Sequence, residues 1–442
     1  MSLYDRHAYP ADLAAHIVER WKEQSADGID EGMDTLPDLR MLELLISTCY
    51  QASLMREEER VVDFRLIVRE PSLFAAEEGT PEGLHRLIFT QPRPFNEYEL
   101  QRLSPAVDFY RSLIGVRVDR VEGLQMWGIV HSGPRWMQSV FGGRKITVAL
   151  PQSLVIHVTG PGRISAYRGS TLIAALNHGR ITPAPHNVFE SAWLRKSFAE
   201  VREELYLKHE EARARAAAPW AVLAPDFVRV LIQQVVKRII SSIRNSRHGG
   251  SLVYLPEEQA AALCCDNQYM TIKYQFVEEE PRQRLRTLIV GIMNAFAEAS
   301  GDPAALDRVV GWDDYMVCKN EALAQLDEAL FDVAHLIAGF AAIDGAVVIS
   351  KRQELLGFGA VISGDIDKVE AVTNALDLEG TQRIIVRSEG VGTRHRAAYR
   401  LCHDLQDAIV IVISHDGNAR IVAWREGMVT FWDQVTAGVA GF

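Results

Sequence analysis

The sequence predicts an α/β C-terminal domain, a mixed sheet flanked by helices, preceded by an α+β N-terminal domain containing an antiparallel β meander. Three observations predict it. Residues 124–181 form a series of short β-rich runs separated by turn signals such as GPGR and NHGR. Beyond Asp344 the runs AVVIS and AIVIVIS are continuously apolar, as strands buried on both faces are. Between these regions lie stretches with apolar residues at helical spacing, of which 321–340 is the strongest. At 442 residues the chain is long enough for two or three domains.

Taken in order, residues 1–60 read as helical: 11–24 and 38–58 space their apolar residues by three and four, as in Leu42, Leu45, Ile46 and Cys49. Residues 61–68 alternate and are β-branched, which predicts a strand. Helical pieces are expected near 81–89 and 96–113. After the meander, 191–217 reads as a charged helix, and Pro219 and Pro225 punctuate its end. The domain boundary is placed there, giving 1–220 and 221–442. Asp226 is the expected N-cap of a helix over 227–244, with Val228, Ile232, Val235, Ile239 and Ile243 on one face. RHGG stops it and SLVYL follows as a buried strand. Within the irregular stretch 257–320 one helix is expected at 282–299. AVVIS and LLGFGAVIS flank KRQE in a hairpin, RIIVR is a strand, and 394–404 is a helix. AIVIVIS and ARIVAWREG make a second hairpin around HDGN, whose Asp416-Gly417 is favoured turn chemistry.

Composition limits the functions available. Lys and Arg total 47 against 58 Asp and Glu, a formal charge of −11. That balance disfavours sequence-indifferent binding to nucleic acid or to anionic membranes. The five cysteines include no CxxC pair, and adjacent Cys264 and Cys265 lack partners at zinc spacing, so reduced thiols are expected. The N-terminal MSLYDRHAYP has no apolar signal region, and the apolar stretch 336–349 is short and interrupted by Asp344. The expectation is a cytoplasmic protein with neither a membrane nor a nucleic-acid partner.

Two short motifs carry chemistry. In GTRHRAAYRLCHD, residues 392–404, Gly392-Thr393 open a helix with Thr393 as the expected N-cap. Arg394, His395 and Arg396 then occupy the first turn, where cations oppose the helix dipole at a cost of a few tenths to about 1 kcal/mol each. Either a solvated helix start tolerates that cost, or the turn binds an anion. Free amides, a Thr hydroxyl and two guanidinium forks would suit a polyphosphate. Asp344-Gly345-Ala346 also reads two ways. It is a tight turn needing the dihedrals of glycine, or a carboxylate exposed at a sheet edge that holds a divalent cation or accepts a proton. His131 and the GPG turn at 160–162 read as strand-end and turn residues, and His395 and His403 are too far apart on a helix to share one metal. No Walker A or Rossmann fingerprint is present.

Together, DGA at 344–346 and GTRHRAA at 392–398, with a hairpin between them and AIVIVIS after, resemble the diadenylate cyclase domain of the DisA_N type over residues 226–434. RHGGSLVYL resembles that family's first strand region. Residues 1–220 resemble the DACNV-type sensor domain found before some of these cyclases, through LLISTCYQASLMREEER, MWGIV and VTGPGRISAYRG. The resemblance implies condensation of two ATP into cyclic di-AMP and two pyrophosphates, with Mg²⁺ or Mn²⁺ as cofactor. It makes Asp344 the metal-linked carboxylate beside the attacking hydroxyl, with Gly345 and Ala346 as nucleotide-contacting backbone. Gly392 and Thr393 join Arg394, His395 and Arg396 around the triphosphate, and Ser414 is the strand-end serine that contacts phosphate or metal. It further implies a homo-oligomer whose cyclase domains face each other, and an unidentified small-molecule or protein signal at the N-terminal domain. Two features depart from the pattern. Ser414 is followed by His415-Asp416 rather than the frequent Glu or Gln, and 257–320 exceeds what a compact cyclase needs, as an insertion that gates the site or contacts another subunit would. The rival reading is a cyclase-like nucleotide-binding module without turnover; the basic residues 394–396 disfavour a purely structural role.

Overall fold

The computed structural model describes residues 7–26, 36–77, 79, 83–109, 111–119, 121–131, 150–169, 171–177, 179–183, 188–246, 248–262, 268–302, 304, 308–363, 368–414 and 418–434. They fall into two compact units that divide between Pro183 and Val188. Among the described residues no helix is long and apolar enough to cross a membrane, and Cys49, Cys318 and Cys402 are free thiols. The adjacent Cys264 and Cys265, and the first five residues of the run KITVAL, lie outside the described residues.

In the first unit, helices α1 (Pro10–Ala26) and α2 (Leu39–Ser53) carry the expected apolar stripes. The Asp38 carboxylate caps α2 by accepting from Met41 N at 2.9 Å. Leu13, Ile17, Leu42, Leu45 and Ile46 bury one apolar core with the sheet. That sheet has eight strands: β1 (Phe64–Val68), β2 (His85–Pro94), β3 (Ser112–Asp119), β4 (Gly123–His131), β5 (Leu154–Gly160), β6 (Arg163–Arg168), β7 (Thr171–Asn177) and β8 (Arg180–Pro183). Their order is β8-β7-β6-β5-β1-β3-β4-β2. β5 to β8 form an antiparallel meander. The expected one began at 124, but β4 lies apart from it, separated from β5 by β3 and β1 and paired with β3 and β2. β1 runs parallel to β3 and is buried throughout, so it is a central strand rather than a half-exposed one.

Three helical expectations fail here. The helix expected over 38–58 ends at Ser53, and Arg56–Glu57 pairs antiparallel with Arg60–Val61 instead. Where a helix was expected near 81–89 the chain forms β2, an edge strand on which Pro92 and Pro94 are tolerated because one side needs no ladder donors. Helix α3 (Glu97–Leu103) begins at its Asn96 cap but stops ten residues short of 113, because Pro105 cannot continue it and Ser112 enters β3.

The second unit starts earlier than position 221. A short helix, Ala192–Ser197, and α4 (Ala199–Ala214) belong to it, broken from each other at Phe198. Trp193 stacks on Trp432 with centroids 4.6 Å apart, its Nε1 donates to Leu378 O at 3.3 Å, and Ala192 N donates to the Glu379 carboxylate at 2.7 Å. These contacts hold the charged helical stretch to the second sheet.

That sheet has nine strands: β9 (Gly250–Leu255), β10 (Met270–Gln275), β11 (Ala346–Ser350), β12 (Leu355–Ile362), β13 (Ala371–Ala375), β14 (Arg383–Arg387), β15 (Ile409–Ile413), β16 (Ala419–Arg425) and β17 (Met428–Gln434). Their order is β10-β12-β11-β9-β15-β16-β17-β13-β14. One face packs on α5 (Phe227–Asn245), α6 (Arg284–Ala299) and α7 (Glu321–Phe340) through Leu252, Ile349, Ile411 and Ile421. The other packs on α8 (Thr393–Asp404) through Val253, Val348, Val410 and Val422. Successive strand residues thus serve opposite layers, which is why β9, β11 and β15 read as unbroken apolar runs.

The segment 257–320 is part of this architecture. It supplies the edge strand β10 and the core helix α6, and Val309–Val310 pairs in parallel with Val222–Leu223. Phe296 of α6 is fully buried, stacked on Phe227 at 5.1 Å and edge-on to Tyr315 at 5.3 Å. Phe296→Ala should therefore cost about 3–5 kcal/mol in urea denaturation. A loss near zero would make the segment a dispensable insertion.

Candidate functional site

The site residues come from three chain segments joined by sheet pairing. β9 runs parallel to β11, with Leu252 opposite Val347, and antiparallel to β15, with Gly250 opposite Ile413. The start of β9, the start of β11 and the end of β15 therefore lie at one end of the sheet. Asp344 and Gly345 precede β11, His248 precedes β9, and Ser414 follows β15. The helix start at 392–396 arrives at the same place.

Arg394 makes the connection. Its Nη2 lies 3.8 Å from Asp344 Oδ1, and its Nη1 donates to His248 O at 3.4 Å. The two motifs, fifty positions apart, meet through this one side chain. The Asp344 side chain is fully exposed and Arg394 is 37 % exposed, so solvent screens the pair and it contributes little to stability. Its significance is positional: a carboxylate and a guanidinium held side by side at an open sheet end.

Local backbone chemistry sets the geometry. Gly345 has φ +116°, and a Cβ there would come within 2.6 Å of Gly359 C and 2.8 Å of Ala360 O. A side chain is excluded both by the dihedral and by the neighbouring strand. Ala346 is buried at the head of β11, opposite Ala360. The helix N-cap is Gly392, not Thr393, which becomes the first helical residue. Glycine at this position leaves no capping side chain, and the first turn holds no acid. Arg396 is exposed and His395 half-buried on that turn. Ser414 donates through both its N and its Oγ to Asn418 O, at 2.9 and 3.1 Å, closing its own hairpin. His415 and Asp416 lie outside the described residues.

The carbonyl of His248 and an aromatic stack escaped the sequence reading. Phe340, the last residue of α7, stacks on Phe358 with centroids 4.4 Å apart, and Phe358 stacks on Tyr274 at 4.7 Å. Phe358 sits next to Gly359, the residue that abuts Gly345. Isolated aromatics in strands carry no sequence signal for such stacking; only the strand register brings them together.

A divalent cation fits a donor set of this kind only with help from a ligand. Among the described residues no group of three or more His, Cys, Asp and Glu side chains could hold a metal. Asp344 is a single solvent-facing carboxylate, the arrangement in which Mg²⁺ takes most of its remaining oxygens from phosphates and water.

Residues 31–131 match the sensor family described as "Probable sensor domain DACNV". The sensor-domain expectation for the first half is supported over that stretch. No curated protein matches the chain. Among solved structures, a structural-genomics crystal structure titled as the hypothetical membrane spanning protein from Bacillus cereus is 16% identical, with 45% of this chain covered and a TM-score of 0.21. The chain spans 62% of the length of that structure. So low a score carries no argument about fold or function.

Gly345→Ala should disturb the site before the fold, because its Cβ meets the Gly359–Ala360 backbone at the head of β11. The expected outcome is a folded protein with a lowered melting temperature. An unchanged melting temperature would show that the turn accommodates a side chain.

Proposed function

We propose that the second unit is a diadenylate cyclase that condenses two ATP into cyclic di-AMP and two pyrophosphates, under control of the N-terminal sensor domain. The observation that carries this reading is the convergence of Asp344 and Arg394, from DGA and GTRHRAA, at one sheet end. The family match at residues 31–131 supports the sensor half, since sensor domains of this kind accompany such cyclases.

The chemistry follows from what the residues offer. Arg394, Arg396 and the uncapped start of α8 present cationic and amide donors to a triphosphate. His395 stands on the same turn, where a protonated imidazole would counter charge developing on the leaving pyrophosphate. Gly345, lacking a side chain, lets the β12 backbone pack against the turn that carries Asp344, and the Phe340–Phe358–Tyr274 stack offers a flat surface to a purine. Asp344 would hold Mg²⁺ or Mn²⁺ against the phosphates, where the cation neutralises charge on the reacting phosphate. In each half-reaction a 3′-hydroxyl oxygen bonds to the α-phosphorus of the other ATP. The bond from that phosphorus to pyrophosphate breaks, and the hydroxyl proton is released to water. Catalysis rests on positioning and charge neutralisation.

One chain has one DGA and one GTRHRAA. Two nucleotides must meet, so two sites must face each other, each contributing half of the reacting centre. An open sheet end with an exposed carboxylate suits that encounter better than an enclosed pocket.

The test is incubation with ATP and Mg²⁺ or Mn²⁺, with products read by mass spectrometry. Cyclic di-AMP is expected from the native chain and none from Asp344→Asn, which should still bind ATP. Arg394→Ala removes charge-assisted bonds of about 1.5–3 kcal/mol and should weaken both binding and turnover tenfold or more. Binding of ATP without any product from the native chain would instead favour the nucleotide-sensing module.

Assembly gives a separate prediction. Specific activity should rise with protein concentration in the dilute range. A constant value down to concentrations where light scattering finds monomer alone would exclude facing sites.

A further inference from the structure

At the opposite end of β11 from Asp344, the β11–β12 hairpin borders a cavity of about 370 Å³. The start of α6 and the second half of α7 complete its walls. Its size falls within the range of small-molecule sites. Leu285, Ile337, Ile349 and Leu355 make an apolar lining, and half-exposed Leu336 stands among them.

Three features of its polar lining point to a ligand. Gln353 is 2 % exposed and its Nε2 has no hydrogen-bond partner. Burying an amide without a partner is costly, and such groups are rare without a reason. Gln353 also has φ +66°, the left-handed region that a non-glycine residue occupies at a cost. Glycine would satisfy the turn better, so the turn alone does not account for glutamine. Third, Arg282 lines the same cavity, and its Nε also has no hydrogen-bond partner, while its Nη2 stands 3.7 Å from Glu354. Arg284 and Glu280 also line the cavity, so its charged lining has two guanidinium groups and one carboxylate, with Glu354 beside Arg282.

We propose that this cavity binds a small amphipathic molecule whose carboxylate accepts from Gln353 and Arg282 and whose apolar body lies against Leu285, Ile337, Ile349 and Leu355. The site is separate from the Asp344–Arg394 edge and does not depend on the activity assigned to that edge. Five residues of β11, roughly 16 Å of strand, separate the two. A ligand pressing on the hairpin therefore acts on the same rigid strand that carries Asp344 at its other end.

The probe is octanoate, titrated calorimetrically into the full chain. Saturable one-to-one binding is expected. Gln353→Gly should keep or raise the melting temperature, since it relieves the left-handed dihedral, yet weaken octanoate binding about tenfold by removing the amide. Leu336→Trp, on a half-exposed helical position, should fill the cavity and abolish octanoate binding while leaving ATP binding unchanged. Absence of octanoate binding by the folded native chain would overturn the proposal. So would equal octanoate affinity in the native chain and both folded variants.

Discussion

The pairing of β9 between β11 and β15 is the constraint on which the candidate site depends. Because β9 is parallel to one neighbour and antiparallel to the other, two strand starts and one strand end share an edge. Asp344, His248 and Ser414 come from three remote segments, and no local interaction would gather them. Arg394 then spans two of the three, with weak contacts that take effect only because the sheet has already set their spacing. Most side chains of these strands are apolar on both faces, although β9 also buries Ser251 and a Tyr254 hydroxyl that has no hydrogen-bond partner, and the β11–β12 ladder is irregular between Ala346 and Ile349.

At the other end of the same strands the chain uses charge differently. Arg286 is almost wholly buried, donates to Glu354 at 3.3 Å and also donates to Glu204. Removing one partner of such a group is expensive, because the remaining charge stays buried. The cluster joins α4, α6 and the β11–β12 hairpin, three segments distant in sequence. Since α4 is the first long helix after the sensor-bearing unit, the hairpin that ends β11 is tied to the part of the second unit nearest in sequence to the sensor.

Legibility in the sequence followed the range of the interactions. Helix 321–340 was readable to its ends because Asn320 caps it locally, accepting from Leu323 N, and its apolar spacing is regular. The runs AVVIS and AIVIVIS were readable because burial on both faces leaves only apolar residues. β2 was misread because its order as an edge strand is imposed by β4, with Leu87 opposite Ile129. β10, β13 and β17 were not anticipated for the same reason; each is defined by a neighbouring strand. At the site, the residue types in DGA and GTRHRAA were visible as motifs, but the approach of Arg394 to Asp344 was not. Nor was the replacement of Thr393 by Gly392 as N-cap, which depends on where the chain leaves Val391 rather than on capping preference.

The central claim is that Asp344 and Arg394 act as one nucleotide site. A double-mutant cycle on ATP affinity, measured calorimetrically with Mg²⁺ for the native chain, Asp344→Asn, Arg394→Ala and the double variant, addresses it most directly. Residues in one network couple by roughly 0.5–3 kcal/mol. The account predicts a coupling energy in that range, with the double variant departing from the sum of the single losses. Strict additivity in folded proteins would contradict it and separate the two motifs into independent features of the fold.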